Sequence, residues 1–266
     1  MTEKDTRYAG WIASLEGRHL LNFTFPEVAR ALRALSSTYV ERRHALAKGA
    51  ALASAGKRAA FALFYGPLHY LLVAHVVRRL PGATHGVRVL TDLGCGTGAS
   101  SAAWAAACEG SPRVLAIDRN AWALREADVT YRLFGVSART RRADVASEKG
   151  VGSLFTIYVK RLPTPFSILA AFTLNELPDA SRDALLSRLI DRARRGDHVL
   201  VVEPIAGGAA RWWDRWRREF ERAGGRGDEW RFRAELPAIV AKLDRAAGLD
   251  HREITGRSLW IGPRSL

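Results

Sequence analysis

Asp92-Leu93-Gly94-Cys95-Gly96-Thr97-Gly98 decides how the rest of the chain is read. An apolar run at 87–93 leads into it and predicts a strand, and an Ala-rich run at 99–109 follows and predicts a helix. Three glycines at alternate positions let the backbone turn sharply and approach a ligand closely. Backbone N–H groups and the positive end of the helix dipole then face that ligand. A dinucleotide loop has the spacing G-x-G-x-x-G, whereas this one is G-x-G-x-G with an Asp in front. The loop alone fits nucleotide loops of several kinds.

Outward from the loop, short apolar runs alternate with helical ones. Arg113–Asp118, 138–144, 166–172 and His198–Glu203 read as strands, and Ala121–Phe134 and 179–195 as helices. This alternation predicts a parallel sheet covered on both faces. The tail predicts helices at 209–223 and 236–246, then a β-hairpin of 251–254 and 258–261 around Thr255-Gly256-Arg257. The expected class is α/β: a Rossmann-like, mostly parallel sheet with a C-terminal antiparallel hairpin at 86–266, preceded by a helical substrate-side extension at 1–85. In that extension Pro26 opens a helix to about Leu35, Ser36 or Ser37 caps a second to about Lys48, and a third runs from about Lys57 to Leu80, bent at Gly66-Pro67.

Asp118 ends its strand 20 residues after Gly98, where a carboxylate can accept both ribose hydroxyls of a cofactor. An NAD enzyme uses such a residue in the same way, and a solvated strand-end Asp is the plain alternative. Arg142-Ala143-Asp144-Val145 follows the third strand, with an ordinary loop Asp as its alternative. The three signals in order, each at a strand's carboxyl end, resemble class I S-adenosylmethionine-dependent methyltransferases. The resemblance implies that Asp92 supports the methionine end of the donor. Gly94, Gly96 and Gly98 would pass beside it, Asp118 would hold the ribose and Asp144 the adenine amino group. Cys95, Arg119, Val145 and Thr173 are expected to contact the cofactor as well. No metal or iron–sulfur cluster is expected, since Cys95 and Cys108 form no C-x-x-C pair.

The fourth strand runs into Thr173-Leu174-Asn175-Glu176-Leu177-Pro178, which should border the transferred methyl group. Asn175 and Glu176 can position a substrate or accept a proton; alternatively Asn175 or Asp179 caps the next helix. Methyl transfer needs alignment above all, and a base only where the nucleophile arrives protonated. Tyr65 and His69 are one helical turn apart and share a face, so they are candidates for substrate contact or proton transfer. A structural His is the alternative.

A narrower likeness spans roughly 36–208. The glycine motif with Trp104-Ala105, the 173–178 segment and Leu200-Val201-Val202-Glu203-Pro204 with Gly207-Gly208 are its core. Ser37-Thr38-Tyr39, Arg42-Arg43 and the motif at 60–69 extend it. Together they resemble the methyltransferase-like family associated with the mitochondrial small ribosomal subunit and its bacterial relatives. The resemblance implies an acceptor in ribosomal RNA or a ribosome precursor. The several cysteines that bind an iron–sulfur cluster in that family have no counterpart here.

The formal net charge is +14, and the basic excess is densest at 1–85, with 12 basic against 5 acidic residues. Basic N-terminal helices suit RNA phosphates. The plain alternative is Arg-rich coding in a GC-rich genome, since 35 of the 41 basic residues are Arg. Trp212-Trp213-Asp214-Arg215-Trp216-Arg217-Arg218 either stacks bases between arginines or packs its Trp residues in the core. RNA methylation is the leading expectation. A small-molecule methyltransferase with a helical lid, and a non-catalytic cofactor-binding assembly factor, are the alternatives. A cytoplasmic location is expected, because the first residues lack the apolar core of a signal peptide. No membrane association is expected either, because polar residues, Gly66 and Pro67 interrupt the apolar stretch at 61–77.

Overall fold

The structure, a computed structural model, describes residues 3–41, 52–146, 166–205 and 211–263. In chain order they form helices α1 (Glu3–His19), α2 (Phe25–Glu41) and α3 (Ala55–Val77), then β1 (Val89–Leu93), α4 (Ala99–Ala107), β2 (Arg113–Asp118), α5 (Ala121–Phe134) and β3 (Ala138–Arg142). After these come β4 (Ser167–Ala171), α6 (Asp179–Arg194), β5 (His198–Glu203), α7 (Arg211–Arg222), β6 (Arg226–Phe232), α8 (Ala238–Ala247) and β7 (Ile254–Ile261). The chain divides into two compact units, Met1–Leu72 with Arg231–Ile254, and Val73–Trp230 with Thr255–Leu266. The division falls before residue 85, and the helical unit also takes in 231–254.

In the helical unit α2 opens on a capping box: the Glu27 carboxylate accepts from the Thr24 backbone N–H at 2.8 Å and from its hydroxyl at 2.8 Å. Val28, Leu32 and Leu35 recur at helical spacing and are fully buried. The expected break at Ser36 or Ser37 does not occur. Neither serine is a strong helix breaker in a periodic stretch, and α2 continues to Glu41. The expected extension to Lys48, and Arg42-Arg43, lie outside the described residues. In α3 the bend expected at Gly66-Pro67 appears as one π turn over Phe61–Tyr65, where the Gly66 N–H donates to the Phe61 carbonyl. Pro67 has no N–H to give, so a widened turn just before it lets the helix pass without a break. Against expectation, Ala55–Val77 is long and apolar enough to cross a membrane by length and composition; 78% of its most apolar window is buried inside the protein, as in a core helix.

The second unit holds a seven-stranded sheet in the order β3-β2-β1-β4-β5-β7-β6. The β1–β2, β2–β3, β1–β4 and β4–β5 pairs are parallel, and β7 runs antiparallel to β5 with Leu200 opposite Trp260. On one face Leu115, Ile117, Ile168 and Val201 pack with Leu185 and Leu189 of α6 and Trp216 and Phe220 of α7. Trp216 is fully buried, and Trp212 packs against it edge to face at 5.5 Å. The outer arginines of α7 pair with acids: Arg217 with Glu221 at 2.8 Å, Arg222 with Glu219 at 2.5 Å, and Arg215 with Asp183. The Trp/Arg stretch is therefore a core-facing helix with a solvated, ion-paired outer face, not a base-stacking platform; the part of the helix expected before Arg211 lies outside the described residues.

The expected terminal hairpin is corrected in its parts. Residues 251–254 and 258–261 do not face each other across a turn at Thr255-Gly256-Arg257, because Ile254–Ile261 is one continuous strand. It is neighboured by β5 and by β6, Arg-Gly-Asp-Glu-Trp-Arg-Phe, with α8 falling between β6 and β7 in the chain. A charged, partly exposed edge strand carries little apolar alternation, and this is how sheet edges avoid pairing with other chains.

Candidate active site

Strand order reverses beside β1, which lies between β2 and β4. Ligands of open α/β sheets bind outside the carboxyl ends of strands at such a point. The Asp92–Gly98 motif leaves β1 there. Its first turn is pinned to the neighbouring strand by the Gly94 and Cys95 N–H groups, which donate to the Ile117 carbonyl at 2.8 and 2.9 Å. Gly94 has φ +75°, and a Cβ there would sit 2.5 Å from the Thr173 side chain. Gly98 has φ +77°, and a Cβ there would sit 2.9 Å from the Tyr131 ring. Both positions demand glycine twice over, by conformation and by space.

Asp118 binds the loop itself. One carboxylate oxygen accepts from the Gly96 N–H at 2.9 Å, the other from the Asn120 N–H at 2.7 Å. Burial raises its pKa, and the Asn120 and Gly96 N–H groups oppose the rise. Asn120 in turn caps α5 by accepting from the Trp122 and Ala123 N–H groups.

Asp92 differs. It is 1% exposed, and neither carboxylate oxygen has a hydrogen-bond partner. Burial pushes its pKa up to about 7; Ser101 stabilises its charge from nearby without hydrogen-bonding it in good geometry, and Asp118 adds repulsion. Desolvating a carboxylate with no donor in hydrogen-bond geometry is costly, and a cation or a donor from outside the chain would relieve that cost.

The other expected contacts vary. Cys95 is buried with its thiol pushed well up by desolvation, so it is no nucleophile. Asp144 folds an Asx turn by accepting from the Ala146 N–H at 2.8 Å. The Val145 side chain belongs to the core, leaving only its backbone for a ligand. Arg119 lies close enough to Glu176 to favour that carboxylate's charge. The Thr173 hydroxyl reaches the Leu93 and Ala171 carbonyls, each at 3.0 Å, and so braces the two loops together.

The segment after β4 is held from several sides. Phe172 sits at φ +57°, a left-handed conformation that is strained for a non-glycine residue. Leu174–Glu176 forms a 3₁₀ turn. The Asn175 amide donates to Glu203 at 2.6 Å, so it caps no helix, and Pro178 rather than a side chain occupies the N-cap of α6. Asp179, in the first turn, pairs with Arg182. Glu203 was not foreseen as a site residue. It is fully buried at the end of β5 and also accepts from the Leu174 N–H at 2.7 Å. The available signal was a charged residue closing an otherwise apolar strand. Glu176 is partly buried, and desolvation lifts its pKa to about 8, with Asp118 and Glu203 adding to the rise and Arg119 opposing it.

Tyr65 and His69 belong to the helical unit. They do share a face, with ring centroids 6.1 Å apart, and Phe61 stands edge-on to His69 at 5.8 Å. Burial holds the His69 pKa down to about 3. This favours a neutral imidazole near neutral pH. Burial also raises the Tyr65 pKa, so that hydroxyl stays protonated.

Sheet order, antiparallel last pair and glycine loop at the end of β1 define the class I methyltransferase fold. One solved structure shares this fold: mitomycin 7-O-methyltransferase superposes with a TM-score of 0.50 at 12% identity, covering 96% of this chain and 72% of that one. Precorrin-6y C5,15-methyltransferase from Geobacter metallireducens gives 0.44 at 13% identity, covering 72% of this chain and 86% of that one. A methyltransferase from Pyrococcus furiosus gives 0.44 at 13% identity over 74% and 83%. No family model and no curated protein matches the sequence. The ribosome-associated likeness therefore stands on its motifs alone.

Proposed function

We propose that the protein is an S-adenosylmethionine-dependent methyltransferase whose acceptor is RNA. The observation that carries the donor assignment is Asp92, a buried carboxylate without a hydrogen-bond partner just ahead of a left-handed glycine loop. S-adenosylmethionine is cationic at its methionine end, carrying an ammonium and a sulfonium, and suits an unpartnered carboxylate. A dinucleotide brings a diphosphate, which a buried carboxylate repels. When bound, the donor supplies a methyl group already activated on sulfur. Asp92 would hold the methionine end, the 94–98 backbone would pass beside it, and Asp118, Asp144 and the Val145 backbone would take the ribose and adenine. Asp118→Asn is expected to weaken S-adenosylmethionine binding by about tenfold, or 1.4 kcal/mol, because the amide places donors where the carboxylate accepted. Calorimetry checks this, and unchanged affinity would count against the ribose role.

The acceptor assignment is supported by the +14 charge and by the motif likeness to ribosome-associated relatives. A cytoplasmic location goes with it. Filter binding to structured RNA should show affinity that falls steeply with added salt. Binding no tighter than that of a neutral protein at low salt would remove RNA and leave a small molecule as acceptor. The aromatic cluster Phe61, Phe64, Tyr65 and His69 is the specific feature favouring that second reading. Absence of transfer to any cellular fraction, with the donor bound, would instead indicate a non-catalytic assembly factor.

A further inference from the structure

We propose that Glu176 takes the proton from a protic methyl acceptor, a hydroxyl or an N–H, and that Glu203 is the residue that positions it. This rests on the methyl-transfer reading above and adds the chemistry of the acceptor to it.

Glu176 rides on a turn that is fixed everywhere except at its own carboxylate. Glu203 grips the turn with both oxygens, taking the Leu174 N–H at 2.7 Å and the Asn175 amide at 2.6 Å. Arg182, buried on α6, donates to the Leu174 carbonyl at 3.1 Å and the Leu177 carbonyl at 3.3 Å. Thr173 ties the preceding residue to β1, and Phe172 stores strain at φ +57°. Strain of this kind persists only where the surroundings over-determine it, and it gathers at working sites. Against this scaffold the Glu176 carboxylate itself makes no hydrogen bond or ion pair among the described residues; its charged neighbours are Asp118 at the end of β2, Arg119 just after it and Glu203 at the end of β5. Arg257 and Arg182 face Glu203, and Asp179 faces Arg182. Asp92, buried with both oxygens unpartnered, adds a second carboxylate that awaits a group from outside the chain.

The chemistry this arrangement serves is specific. An acceptor X–H uses its lone pair to form the bond to the methyl carbon. The carbon–sulfur bond breaks with its electron pair remaining on sulfur, so the sulfonium becomes a neutral thioether. The proton of X–H passes to a Glu176 oxygen and from there to water. A ring nitrogen with a free lone pair would need no such residue. A carboxylate half-ionised near pH 8 can hold the proton and return it.

The test is a carbon-detected NMR titration of Glu carboxyl groups in the full chain. We expect one Glu signal with a midpoint near 8, missing in Glu176→Gln and moved about one pH unit lower in Glu203→Gln, where a neighbouring negative charge is removed. If no Glu titrates near 8 beside the signal Glu203 gives near 7, or the higher of the two signals survives in Glu176→Gln, the proton-acceptor role is overturned. A midpoint unmoved in Glu203→Gln overturns the positioning role. Should Glu203→Gln not fold, the wild-type and Glu176→Gln spectra still decide the first point, and Asn175→Ala, which frees one Glu203 oxygen, decides the second by shifting the same midpoint. S-adenosylmethionine binding is measured separately by calorimetry, so loss of the donor reading is told apart from loss of the proton acceptor.

Discussion

Asp92→Asn is expected to raise the melting temperature of the ligand-free protein while weakening S-adenosylmethionine binding by about 10- to 100-fold. The two effects share one cause. Asp92 is buried without a hydrogen-bond partner, so its charge costs the free protein on the order of 1–3 kcal/mol. Replacing it with a neutral amide of the same shape should lift the melting temperature by roughly 2–10 °C. The same charge is what a cationic ligand would meet, so affinity falls as stability rises. A purely structural Asp would lose stability when replaced and leave binding alone. The pH dependence follows with a fixed sign. Asp92 and Glu203 titrate near 7 and Glu176 near 8 in the folded chain, above the ordinary carboxylate range. The folded state therefore binds these protons more tightly than the unfolded state. The stability these groups contribute is fully present below about pH 4, the unfolded carboxylate range, and is lost as pH rises from there through about 8. Thermal melts across pH check this, and the fall should be shallower in Asp92→Asn.

Gly94→Ala is expected to destabilise the protein by about 2–5 kcal/mol and to abolish donor binding. The left-handed conformation costs an L-residue about 1–2 kcal/mol, and overpacking adds about 1–3 kcal/mol. The new Cβ would lie 2.5 Å from the Thr173 side chain, whose hydroxyl is already committed to two backbone carbonyls. Thr173 cannot simply swing away. Adding Thr173→Ala should restore part of the stability by removing the clash, while the backbone strain persists, and a double-mutant cycle of denaturation free energies measures that share. A Gly94→Ala protein as stable as wild type would show that the loop is not wedged as described.

Much of the second unit was legible in the sequence. Arg113–Asp118, Ala121–Phe134 and His198–Glu203 stand where the apolar pattern places them, because each is strongly periodic and α5 is bounded by a capping Asn120 and a left-handed Gly135. β6 was invisible because Arg226–Phe232 is an edge strand with charges where alternation is sought. Thr255-Gly256-Arg257 imitated a turn, yet Gly256 and Arg257 are buried in a continuous strand, and Arg257 stacks over Trp213 at 4.1 Å. The spacing placed Asp92 and the glycines at the end of β1 and Asn175 and Glu176 after β4, and the structure has them there. What the spacing could not tell was that Asn175 answers to Glu203, 28 residues away, because that pairing exists only once β4 and β5 lie side by side. Nor could it tell how far burial lowers the His69 pKa, since a helical face does not announce what covers it.

The central claim is that the loop at the end of β1 receives a methyl donor and not a dinucleotide. Calorimetric titration of the full chain with S-adenosylmethionine and, in parallel, with NAD tests it directly. The structure predicts saturable one-to-one binding of S-adenosylmethionine, lost in Gly94→Ala, and no heat with NAD. Binding of NAD without S-adenosylmethionine, or of neither, would contradict it.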